Sequence, residues 1–103
     1  MPGATEISGC LHLITGPGGA ALRQCRSQCG PDDSVVFIDA GVMHLLERDE
    51  DGFPADDRRV HFAAADLAAR GLEAVAASAA ISTLTDAGIA RLIVDHPHCL
   101  TWK

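Results

Sequence analysis

The sequence predicts an α/β fold, a single-domain three-layer sandwich around a mainly parallel sheet of roughly five strands. Three observations carry that prediction. Short runs rich in β-branched residues alternate with helix-compatible segments from one end of the chain to the other. The run Ser34-Val35-Val36-Phe37-Ile38-Asp39 holds four consecutive large apolar residues, the pattern of a strand covered on both faces, as in parallel sheets. Glycine and proline punctuate the joins, at Gly16-Pro17-Gly18-Gly19, Gly30-Pro31 and Pro97. A length of 103 residues fits one domain spanning 1–103, with residues 1–9 expected to be frayed.

Each element follows in order. Residues 10–15, CLHLIT, read as the first strand through Leu11, Leu13 and Ile14. A helix is expected over 19–28, with Ala21, Leu22, Cys25 and Cys29 close to helical spacing and Gly30-Pro31 as its stop. The apolar run 34–39 is the second strand, and 40–46, AGVMHLL, a short helix. The acidic stretch 47–57 reads as a solvated loop. Residues 59–63, RVHFA, are the next strand, and 66–71 a short helix ending at Gly71. The alanines of 72–78 blur the period, so that segment reads as strand or helix; a strand there keeps the alternation intact. Ser82 or Thr83 caps a helix running to about Val94, Pro97 stops it, and 98–102, HCLTW, close the chain as a strand.

Composition narrows the function classes. Seventeen alanines and only four aromatic residues imply a thin core with close helix-to-sheet approach, and a surface that stays partly apolar until a partner covers it. A net charge of −6 argues against nucleic-acid binding through a broad basic surface. No apolar run approaches the length of a membrane span. The N-terminal stretch has neither a basic region nor an apolar one, so it does not read as a signal peptide, and the expected compartment is the cytoplasm. There Cys10, Cys25, Cys29 and Cys99 are expected as thiols. Their spacings make neither a zinc ribbon nor a CxxC redox motif.

Little in the chain carries familiar chemistry. Gly16-Pro17-Gly18-Gly19 sits where phosphate loops sit, but lacks the following Lys-Ser/Thr and reads as a turn. His96-Pro97-His98-Cys99 resembles a metal cluster in composition, yet strand alternation sends His98 and Cys99 to opposite faces, and a closed zinc site needs about four converging ligands. No nucleophile elbow supports a Ser-His-Asp triad. No metal or cofactor is therefore expected. Cysteine remains: a thiolate can accept a sulfur atom as a persulfide and pass it on, subject to its pKa, nucleophilicity and access. Cys25, on the first helix after a parallel strand, is the candidate. It equally fits a core role, because it shares an apolar stripe with Leu22 and Cys29.

Four segments, in order across residues 11–102, resemble the DsrH/TusB family of sulfur-relay subunits. They are Leu11-His12-Leu13-Ile14; Val35-Val36-Phe37-Ile38-Asp39-Ala40-Gly41-Val42; Asp66-Leu67-Ala68-Ala69-Arg70-Gly71-Leu72; and the closing stretch from Leu92 to Trp102. The chain departs from the family pattern at Ala40, where an acidic residue is common, and in a short glycine-rich first loop. The resemblance implies a DsrE-like fold and a cytoplasmic heterohexamer with homologous DsrE/TusD-like and DsrF/TusC-like subunits. It also implies protein donors and acceptors of sulfur, with no direct nucleic-acid or membrane contact. Such complexes serve 2-thiouridine formation at the tRNA wobble position or oxidative sulfur metabolism. Cys25 aligns with the cysteine that many members carry on the first helix, which implies a persulfide carrier; members without it leave sulfur to another subunit. Trp102 fits an interface anchor or a residue packed on its own domain. Two other readings stay open: a purely structural subunit of such a complex, and a stand-alone domain binding a small molecule at the strand ends.

Overall fold

A computed structural model describes residues 9–46 and 59–103. The chain runs β1 (Cys10–Ile14), α1 (Gly19–Gln28), β2 (Ser34–Phe37), a 3-10 helix (Asp39–Leu45), β3 (Val60–Ala63), α2 (Ala64–Ala69), α3 (Glu73–Ala79), β4 (Ser82–Leu84), α4 (Asp86–Asp95) and β5 (His98–Trp102). The sheet has five strands in the order β4-β3-β2-β1-β5, and every neighbouring pair is parallel. The expected α/β architecture is thus present.

The order dictates where the helices go. From β1 to β4 each new strand is added on the same side, so right-handed crossovers stack α1, α2 and α3 on one face. The return from β4 to β5 passes the whole sheet in the opposite direction, and the same rule puts α4 on the other face. Side chains of Ile14, Val35, Phe37, Val60 and Phe62 share the first face by strand alternation and meet Leu22 and Cys25 of α1, Leu67 of α2 and Ala76 of α3 in one core. Phe37 and Phe62 stack with centroids 4.6 Å apart at its centre. On the opposite face Leu11 and Val36 are also fully buried.

The structure differs from the sequence reading at several joins. The segment 72–78 is helical, forming most of α3, because alanine favours helix when nothing imposes a strand period. Ala80, at φ 55°, ends it. The fourth strand is instead Ser82-Thr83-Leu84, residues expected to open the last helix. That helix starts later, at Asp86, and its cap is Thr85, whose hydroxyl accepts a hydrogen bond from Gly88 N–H at 3.2 Å. β2 stops at Phe37 because Asp39 turns out of the strand at φ 52°. Segment 40–46 lies largely in the tighter 3-10 helix. Gly71 closes α2 at φ 68°, as expected of a C-cap glycine. Of the end expected to fray, residues 1–8 lie outside the described residues, while Gly9 is buried so tightly that a Cβ there would meet the Asp32 carbonyl oxygen at 1.8 Å. The acidic loop 47–57 also lies outside the described residues. Among those described, no helix is long and apolar enough to cross a membrane.

Candidate functional site

Cys25 sits where the core reading places it. Its turn of α1 faces the sheet, its exposure is 0%, and it packs in the same cluster as Ile14, Leu22 and Val35. Burial pushes its thiol up to about 12, with Cys29, Cys10 and Asp33 adding smaller contributions of the same sign. Sulfur exchange needs an accessible thiolate; at neutral pH this folded chain offers neither at Cys25. Burial and the raised thiol favour the core role of Cys25 over the carrier role. Cys10 and Cys29 are half-buried, and Cys99 is the exposed thiol, on the edge strand β5. The thiols of Cys10 and Cys99 are both raised, chiefly by burial.

Beside Cys25, at the amino end of β1, lies a polar network that sequence reasoning missed. His12 points to the same face as Ile14 and is 1% exposed. Its Nε2 lies 2.8 Å from Asp33 Oδ2, and its Nδ1 lies 3.0 Å from the indole nitrogen of Trp102. An indole nitrogen only donates. Nδ1 must therefore accept, and Nε2 carries the ring proton and donates it to Asp33. Asp33, in the turn ahead of β2, also accepts from the backbone N–H of Cys10 at 2.8 Å and of Gly30 at 3.0 Å. Burial alone would raise this carboxyl, but the N–H groups of Cys10, Gly30 and His12 outweigh it and hold Asp33 below the usual carboxylate range. Arg59 secures the same turn by donating to the Gly30 carbonyl at 2.6 Å. The network thus ties β1, β5 and the end of α1 to the entry of β2. The only hint in the sequence was a histidine inside an apolar strand; its partners stand 21 and 90 residues away.

His12, Cys29 and Asp33 also bring three potential metal-ligating atoms within 4.8 Å of one another. The hydrogen bonding argues against a metal. A ligating histidine normally donates its second ring N–H outward, whereas Nδ1 of His12 faces a donor. Both Asp33 oxygens already accept bonds from N–H groups. Three donors also fall short of a closed structural zinc site.

The other motifs resolve into structure. His96 donates from Nδ1 to the Leu92 carbonyl at 2.7 Å and finishes α4. Among the described residues, His96, His98 and Cys99 form no converging metal cluster. In the glycine-rich loop, Gly16 packs against the chain end and its carbonyl accepts from His44 Nε2 at 2.9 Å. Gly18 caps α1 without a side-chain hydrogen bond. At the carboxyl end of β2, the N–H of Asp39 donates to Asp66 Oδ2 at 2.7 Å, and Arg70 donates to the Asp39 carboxylate at 3.1 Å. A groove of about 250 Å³ runs between α2, α3 and the β4 edge, with Leu67, Ala76 and Ile81 beneath and Glu73 and Thr83 among its polar linings.

The far edge of the molecule is under-covered. No residue of α4 is buried, Val94 is 80% exposed, and Leu100 on the outer strand β5 is 49% exposed. No protein-family model matches the chain, and no curated protein matches it.

Proposed function

We propose that this chain is a structural subunit of a cytoplasmic sulfur-relay complex, and that the travelling persulfide rides on a cysteine of another subunit. The reading rests on the four segments that resemble DsrH/TusB proteins, and on an apolar α4–β5 edge that suits coverage by a neighbouring chain. One observation favours the structural role over the carrier role. Cys25, the residue the resemblance marks as carrier, is fully buried with its thiol pushed up to about 12. Homologous DsrE/TusD-like and DsrF/TusC-like subunits are the partners, and tRNA wobble-uridine thiolation or oxidative sulfur metabolism is the process served.

The test is native mass spectrometry of the tagged protein purified from its own cells, followed by peptide mapping. The expected result is a hetero-oligomer with two small α/β chains and no added sulfur on the Cys25 peptide. Persulfide on Cys25 would restore the carrier role. A lone monomer would sink the assembly reading and move attention to a small molecule in the groove between α3 and β4.

A further inference from the structure

We propose that His12 is a proton-operated latch for the indole of Trp102, so that acidification frees this side chain from the polar network at the sheet's amino end while the β5 backbone stays paired. The two ring nitrogens of His12 are held by partners with opposite demands. Asp33 accepts at Nε2, and Trp102 donates at Nδ1. Only the neutral ring with its proton on Nε2 satisfies both.

A second proton must enter at Nδ1. It would set an imidazolium N–H against the indole N–H across a contact that is now 3.0 Å. Two donors cannot share that space, and Trp102 has no second position on this ring.

The charged and titratable groups around His12 decide which partner yields. On its own strand stands Cys10; the end of α1 contributes Cys29 and, deeper, Cys25; the turn ahead of β2 contributes Asp33, with the Arg59 guanidinium held on the Gly30 carbonyl of that turn; β5 contributes Trp102, with His98 paired to Cys10. Asp33 is the only carboxylate in this set among the described residues. It keeps accepting from Nε2 after protonation, now as a charge-assisted bond, so the ring stays and the indole leaves. The backbone of β5 need not follow, because the Trp102 carbonyl accepts from the N–H and hydroxyl of Thr15 at 2.9 and 3.2 Å. The released indole would lie on the same strand face as Leu100, adding a large apolar group to the exposed edge.

The experiment is a pH titration of the uniformly 15N-labelled full chain by NMR. The chain holds one tryptophan, so one indole N–H signal reports on the latch. The expected result is an indole shift, with loss of intensity to water exchange, at the same midpoint as the His12 ring nitrogens, while the Thr15 amide stays in place. An indole signal that is unmoved while His12 titrates overturns the proposal. So does one that follows a different histidine, or a His12 that takes up no second proton before the chain unfolds. His12→Gln keeps a donor toward Asp33 but cannot titrate, and should leave the indole signal independent of pH; a persisting shift in this variant also counts against the latch. Should this variant fail to fold, the wild-type comparison of midpoints still decides.

Discussion

Cys25 and Asp33 are neighbours in the fold that burial treats in opposite ways. The thiol has nothing to offset its desolvation, so its proton is held more tightly in the folded chain than in the unfolded one. A raised folded value contributes stability that is complete below the ordinary thiol range and is lost as pH climbs from about 9 toward about 12. Urea midpoints should fall over that interval, and Cys25→Ala should flatten the alkaline limb. In native protein, iodoacetamide should label Cys99 long before Cys25, which should react only at the rate of unfolding; peptide mass spectrometry reads both. Early labelling of Cys25 would reopen the carrier role. Asp33 shows the reverse sign, because its N–H donors hold it below the usual range despite burial. Its contribution is complete above the unfolded carboxyl value of roughly 4 and is lost as pH falls through the depressed folded value. Asp33→Asn should lower stability by about 1–3 kcal/mol at neutral pH and flatten the acid limb of a urea-midpoint profile. An unchanged acid limb would mean that other carboxylates govern acid unfolding.

Among the elements, local chemistry set the strands and helices wherever it was strong, and misled where alanine diluted it. The runs at 10–14 and 34–37 are legible because β-branched and large apolar side chains suit a pleated buried surface. Residues 73–79 carry no comparable pattern, and alanine's preference for helix does not by itself exclude the strand reading. What decides between them is the sheet: β3 needs a parallel neighbour, and Ser82-Thr83-Leu84 supplies it in register with His61, Phe62 and Ala63. Two substitutions test the joins. At Gly41, in the 3-10 helix after β2, an added Cβ would meet the Ile14 carbonyl oxygen at 1.9 Å. Gly41→Ala must therefore push backbone against backbone, and should cost about 2–4 kcal/mol by urea unfolding. Thr85→Ala removes the cap of α4 and should cost about 1 kcal/mol. A loss well below that would indicate that α4 is held by packing more than by its cap.

For the molecule as a whole, strand order has a consequence for function. With α1, α2 and α3 on one face and α4 alone on the other, the chain builds one deep core and one thin layer. Val94 stays exposed on that thin side, and Leu100 on the opposite face of the outer strand β5. Val94→Asp should leave stability within about 0.5 kcal/mol, as expected for a surface site, yet reduce recovery of partner chains in a pull-down from the source cells. Undiminished recovery would place the partner surface elsewhere. The α/β class, the first two strands, the first helix and the core register of Cys25 are legible in the chain, because they depend on side-chain period and local propensity. Strand or helix near residue 75, the access of solvent to Cys25 and the groups that surround His12 are set by the packed fold. Those outcomes depend on contacts between residues up to 90 positions apart, which leave no local pattern in the chain.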